Sequence, residues 1–158
     1  MDAKIKAFLD MLSWSEGTDT GLDDGYGVIV SGVDGKHTFT DYSDHPFAKG
    51  GFVTVSNNPF LRSTAAGRYQ LEARWWAAYK KMLKLTNFGH DSQEAVAVQQ
   101  IKESRALPLI ESGDIEGAIR SCSNIWASLP GNSYGEHGGH SMADLIDKYN
   151  TFLTKDQA

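Results

Sequence analysis

Residues 6–19 read KAFLDMLSWSEGTD, and the reading of this stretch decides the fold. Ile5, Phe8, Leu9 and Leu12 recur at the i, i+3, i+4, i+7 spacing of an amphipathic helix, which predicts a helix over 4–15. Gly17 supplies the stop, because glycine takes the left-handed conformation of a helix C′ residue without a Cβ penalty. Glu16 closes the helix. It lies i+4 from Leu12 and i+8 from Phe8, on the buried stripe rather than the wet face. A carboxylate there loses hydration and meets the negative end of the helix dipole. Both effects raise its pKa above the ~4.3 of a free glutamate. A carboxyl still protonated near neutral pH is what general-acid cleavage of a glycosidic bond requires. The spacing admits a plainer reading too, a solvated acid at a frayed helix end.

Outward from this helix, YGVIV (26–30) and HTFTDY (37–42) flank SGVDGK, which predicts a β-hairpin, and FVTV (52–55) predicts a third short strand. Three short strands make no core alone, so a small sheet beside a helical body is expected. A helix is predicted over 71–85 with Leu71, Trp75, Ala78, Tyr79 and Met82 inward. DSQE (91–94) reads as a capping box for a helix through about Glu103. Pro108 starts a short helix that ends near Gly113. Asp114 caps the next, with Ile115, Ala118, Ile119, Cys122 and Trp126 inward. A glycine-rich loop, SLPGNSYGEHGGHS (128–141), leads to a last helix capped by Ser141, with Leu145, Tyr149 and Phe152 inward. No repeat, linker or low-complexity segment interrupts the chain. The pattern predicts one α+β domain over residues 1–158, mostly helical.

The composition narrows the function. The chain has 158 residues, 41% hydrophobic and 22% charged, enough for one real core. No apolar run reaches the ~18–20 residues of a membrane helix, and Asp2, Lys4, Lys6 and Asp10 spoil any signal-peptide pattern. A protein made and kept in the cytoplasm, without membrane insertion, is the expectation. A net charge of −5 with no basic stripe excludes nucleic acid as a natural partner. Lys80, Lys81 and Lys84 suit the C-terminal end of a helix. Cys122 is the single cysteine, on an apolar helix face, and reads as a buried, inert thiol.

Three further clusters carry polar chemistry. STAAGRYQ (63–70) combines a possible cap at Ser63 or Thr64, small residues that allow close approach of a ligand or a helix, and Gln70, whose amide both donates and accepts as sugar hydroxyls do. An ordinary capped helix start explains it as well. FTDYSDHP (39–46) packs Tyr42, Ser43, Asp44 and His45 on a loop, fit for the floor of a carbohydrate site or for plain turn chemistry. EHGGH (136–140) mimics metal-ligand spacing, but HExxH is absent and a surface loop is the better reading, so no metal or cofactor is expected. GxSxG is absent too.

Taken together, KAFLDMLSWSEGTD, FTDYSDHP, STAAGRYQ with RWWAAYKK (74–81), AVAVQQIKE (95–103), ALPLI (106–110) and CSNIWASLPG with its YG (122–135) resemble the lambda endolysin family of lytic transglycosylases. The resemblance covers most of residues 6–135 and only loosely the C-terminal helix. It implies a lysozyme-like α+β fold, a mostly helical lobe and a small antiparallel β-sheet with a saccharide cleft between them, lipped by loops at 47–60 and 128–140. It implies that Glu16 is the catalytic acid and that Tyr42, His45, Thr64, Gln70, Asn124 and Tyr134 match substrate-binding positions. Against the family pattern, Gly27 stands in place of an acid, Ser121 in place of an arginine (Arg120 is adjacent) and Asp24 in place of a histidine.

The family's chemistry uses one carboxylate. It implies cleavage of the bond between N-acetylmuramic acid and N-acetylglucosamine in peptidoglycan, leaving 1,6-anhydro ends. A hydrolase with Asp19, Asp41 or Asp44 holding a water is the enzymatic alternative. A non-catalytic wall-binding module is the other class, against which the retained Glu16 argues. The resemblance further implies a monomer that accumulates in the host cytoplasm and reaches the periplasm through a holin-type release protein.

Overall fold

The computed structural model describes residues 1–131 and 139–157. They form an α+β chain whose contacts divide it into two compact units, Met1–Gly17 with Ala97–Ala158, and Thr18–Val96.

The first unit is helical. Helix α1 (Ala3–Glu16) starts on Asp2, whose side chain accepts from the Lys4 N–H, and stops at Gly17 with φ 74°, as its sequence predicts. Ala7, Phe8, Leu9, Met11 and Leu12 are almost wholly buried. Helix α4 (Leu107–Ser112) has Pro108 in its first turn and Gly113 at φ 87° after its last. Helix α5 (Ile115–Cys122) is capped by Asp114, which accepts from the Gly117 N–H at 3.0 Å, and buries Ile115, Ala118, Ile119 and Cys122. Helix α6 (Met142–Gln157) is capped by Ser141 through the Asp144 N–H at 3.1 Å and buries Leu145 and Tyr149 against α1. Lys6 binds both Asp10, at 2.8 Å, and Asp156, at 3.3 Å, tying the last turn of α6 to α1. Cys122 is fully buried and its thiol is pushed up to about 12 by that burial.

The second unit holds the strands. Strand β1 (Val28–Gly32) pairs antiparallel with β2 (Gly35–Thr38), Ile29 opposite His37, through a tighter turn than SGVDGK suggests. Strand β3 (Val53–Asn57) pairs with β4 (Phe60–Ser63), Thr54 opposite Arg62. Strand β4 has no alternating apolar pattern, because Phe60, Leu61 and Arg62 are all exposed, so its sequence gives no strand signal. Ile29, Val53, Ala66, Leu71, Trp76, Phe88 and Val96 make the core.

Helix α2 spans only Ala73–Met82; of the predicted inward residues Leu71 and Tyr79 pack on the core, whereas Trp75, Ala78 and Met82 do not. Trp76 is 2% exposed and packs on Phe88, while Trp75 and Met82 point to solvent. The tandem tryptophans make either register plausible from period alone. The start of the helix is served by Thr64, whose Oγ1 accepts from the Ala73 N–H at 2.9 Å. Helix α3 (His90–Glu103) begins one residue before DSQE, and Glu94 Oε1 accepts a hydrogen bond from Tyr26 Oη at 2.6 Å instead of closing a capping box.

Candidate active site

Glu16 is the last residue of α1, and the left-handed turn at Gly17 ends the helix directly behind it. Its side chain is partly buried. Desolvation of its carboxyl pushes the pKa above the ordinary glutamate range, and a hydrogen bond from Ser128 pulls part of that back. Ser128 Oγ donates to Glu16 Oε2, and the Ser15 hydroxyl lies 2.7 Å from Ser128 Oγ. When Glu16 is ionised, Ser128 gives its proton to the carboxylate and so accepts from Ser15. When Glu16 is protonated, the same three oxygens can bond with the donors reversed. Gly139 lines Ser128 from behind: a Cβ there would sit 2.7 Å from the Ser128 carbonyl oxygen, so only glycine lets the chain pass. Nothing local to Glu16 announces Ser128, which is 112 residues away.

Trp14, two residues before Glu16 in α1, stacks on His140 with ring centroids 4.0 Å apart, and the Lys148 ammonium lies 5.1 Å over the same indole. Asn124 is exposed in the turn after α5, within this first unit. Glu136, His137 and Tyr134 lie outside the described residues.

In the second unit, Gln70 does not open a helix. It stands at φ 54° in the turn that pairs Ala66 with Leu71, and its Nε2 donates to Gly67 O at 2.9 Å. Non-glycine residues in this conformation cost about 1–3 kcal/mol and gather at ligand-binding places. Of the small residues before it, Gly67 admits a side chain. Gly67, at φ 85°, is met by buried Gln93, whose Oε1 accepts from the Arg68 N–H at 2.9 Å and whose Nε2 donates to Phe88 O at 2.9 Å. Thr64, having accepted from Ala73, keeps its hydroxyl proton to donate.

Tyr42 Oη donates to Asp23 Oδ2 at 2.7 Å, and His90 Nε2 lies 2.6 Å from the same oxygen. His90 in turn stacks on Tyr26 at 3.8 Å. Tyr42 and then His90 hold the Asp23 carboxyl below its usual range. Asp23 and His90 are missed by sequence reasoning, because 67 residues separate them and neither sits in a motif. Burial first, then Asp23, pushes the Tyr42 phenol up to about 12.

His45 belongs to the interior rather than to a ligand surface. It is 3% exposed, Nε2 lies 2.8 Å from Leu71 O, and Nδ1 accepts from the Phe47 N–H at 3.1 Å. This pattern requires a neutral ring with its proton on Nε2. Desolvation lowers its pKa accordingly. Gly27, where the resemblance leads one to expect an acid, has no room for one: a Cβ would lie 2.8 Å from Phe39 O and 3.1 Å from Tyr42 Oη.

Sequence comparison places these residues in a family. The Endolysin family model matches residues 6–155. The endolysin of Escherichia phage lambda is 57% identical over 148 residues, 91% of this chain and 87% of that protein. The endolysin of Escherichia phage P2 is 50% identical over 151 residues, 93% of this chain and 91% of that one. Among solved structures, bacteriophage lambda lysozyme complexed with a chitohexasaccharide matches with a TM-score of 0.86 at 53% identity, covering 96% of this chain and 95% of that one. A second structure, of lysozyme from bacteriophage lambda, matches with a TM-score of 0.76 at 47% identity, over 99% of this chain and 94% of the other. The fold is therefore lysozyme-like, and the chain belongs to the Endolysin family.

Proposed function

We propose that this chain cleaves the β-1,4 bond between N-acetylmuramic acid and N-acetylglucosamine in peptidoglycan by lytic transglycosylation. The observation that carries the reading is the desolvated Glu16 carboxyl held by Ser128. Glu16 gives its proton to the bridging oxygen as the C1–oxygen bond breaks through an oxocarbenium-like state. The resulting carboxylate takes the proton of the sugar's own C6 hydroxyl. That oxygen bonds to C1 and closes the 1,6-anhydro ring, and Glu16 is again protonated. Intramolecular attack has a high effective molarity, so no nucleophilic carboxylate is needed.

The hydrolytic alternative asks for a second carboxylate free to orient water. One of its three candidates is firmly engaged. Asp44 Oδ1 accepts from Trp76 Nε1 at 2.6 Å and from its neighbour's N–H at 3.0 Å. Asp41 Oδ1 accepts from the Ser43 N–H at 2.9 Å in an exposed turn. Tyr42, Thr64, Gln70 and Asn124 are the proposed substrate contacts. The phage-relative names and the chitohexasaccharide bound by lambda lysozyme support a glycan of N-acetylated hexosamines as the substrate class. The proposal extends, on the resemblance in the sequence alone, to a monomer that accumulates in the host cytoplasm and reaches the wall through a holin-type release protein.

Mass spectrometry of muropeptides after digestion tests the reaction. Transglycosylation gives products lighter by one water than those of hydrolysis. Wild-type products carrying that water would reject the proposal, and Glu16→Gln should yield neither kind.

A further inference from the structure

Helix α2 wears an apolar stripe on its outer side. Arg74, Trp75, Ala78, Lys81 and Met82 fall at i, i+1, i+4, i+7 and i+8, on one face, and all five are exposed. Trp75 is 49% and Met82 55% exposed, far more than large apolar side chains of a small helix usually are. The opposite face, Trp76, Tyr79 and, just past the helix, Leu83, is the one packed on the core. The guanidinium of Arg74 lies 4.7 Å over the Trp75 ring.

The charge around this stripe is one-sided. Between Glu72 and Asp91 there is no acid, while Arg74, Lys80, Lys81 and Lys84 all fall there, in a chain of net charge −5. Arg74 pairs with Glu72 at 3.2 Å and Lys80 with Asp44 at 3.5 Å. Lys81 and Lys84 are exposed, and among the described residues no carboxylate pairs with either.

We propose that this outer face of α2 docks on an anionic phospholipid bilayer, with Trp75 and Met82 at the headgroup–acyl boundary and Lys81 and Lys84 on lipid phosphates. Exposed tryptophan beside arginine and lysine is the composition that settles at that boundary, and long cationic side chains reach the phosphates from it. A ten-residue helix is about 15 Å long, and one stripe of it falls well short of the ~800 Å² per partner that a stable protein interface takes. A bilayer asks for no matching shape. No helix among the described residues is long and apolar enough to cross a membrane, so α2 lies on the surface. The docking does not involve Glu16 and goes beyond glycan cleavage: it would hold the enzyme at the lipid face nearest the wall.

The test is co-sedimentation of the full chain with vesicles of phosphatidylcholine alone and of phosphatidylcholine mixed with phosphatidylglycerol, at low salt. The protein should pellet with the mixed vesicles only, and salt should release it. Each cation at such a surface is worth about fivefold in partitioning, so K81E/K84E should weaken binding more than about twentyfold. W75S/M82S should weaken it as well, K81R/K84R should bind like wild type, and all three should digest purified peptidoglycan at the wild-type rate. A wild-type protein that ignores the mixed vesicles overturns the proposal. So does binding that survives both K81E/K84E and W75S/M82S. A vesicle-free dimer in sedimentation that W75S/M82S abolishes overturns it too, and makes the face a contact between copies.

Discussion

Ser128 donates its hydroxyl proton to the carboxylate of Glu16, and through Ser15, 2.7 Å further on, the bond is backed by a second hydroxyl. The bond opposes the desolvation that raises the acid. Ser128→Ala should therefore raise the Glu16 pKa further and move the alkaline limb of the pH–activity profile to higher pH. A hydrogen bond to a charged group is worth about 1.5–3 kcal/mol, so the rate at the wild-type optimum should drop about tenfold or more. An unshifted alkaline limb in a pH series of wall digestion would remove Ser128 from the site.

The same acid makes a prediction about stability. The folded pKa of Glu16 lies above the ~4.3 of the unfolded chain. Folding therefore favours the protonated form, and its contribution is fully present below about pH 4 and lost as pH rises through the folded value. Above that value the ionised carboxylate is a net cost that an amide does not carry. Glu16→Gln should be inactive and should melt above wild type at pH 8, with the gap closing toward pH 4. For a chain of this size each kcal/mol is roughly 2–4 °C in Tm, so differential scanning calorimetry resolves the effect. A variant that melts lower than wild type at pH 8 contradicts the desolvated acid.

His45 should behave as a core residue. His45→Ala leaves the Phe47 N–H without its partner and the Leu71 carbonyl with the Ala66 N–H alone, at about 1–3 kcal/mol for the orphaned group. The Tm should fall by several degrees while activity per folded molecule at low temperature stays within about threefold of wild type. Intact stability with a raised KM would instead return His45 to the substrate surface.

Gly27→Asp restores the acid of the family pattern and should not restore any function. Its Cβ meets Phe39 O at 2.8 Å and the Tyr42 hydroxyl at 3.1 Å. Overpacking of this kind costs about 1–3 kcal/mol. Lower stability without a gain in affinity for chito-oligosaccharides is expected. Tighter binding at unchanged Tm would mean that Phe39 and Tyr42 give way to the new side chain.

The elements that were legible in the sequence are those with a signal within a few residues. The Leu12–Glu16–Gly17 spacing, Pro108, Asp114 and Ser141 each mark a helix end, and each does so in the fold. Helix α2 was readable as a helix but not as to face, because Trp75 and Trp76 offer two stripes and only the core at Phe88 selects one. The exposed Phe60–Ser63 strand was not readable, since it buries no alternate face. The helix of Glu16 allowed both a desolvated and a solvated acid, and the fold selects the first. The acid's partner Ser128, the Asp23–His90 pair behind Tyr42, and Gln93 against Gly67 are long-range contacts of ordinary residue types, which no local pattern encodes.

Cys122 is the chain's one cysteine, and its thiol sits sealed in the helical unit with an affinity for its proton that keeps it unreactive. The surface is in effect a blank background for maleimide chemistry. A thiol placed by substitution at an exposed position, Ala78 on the outer side of α2 or Asn124 after α5, would be the sole target for a spin label or fluorophore, with no need to delete the native residue first.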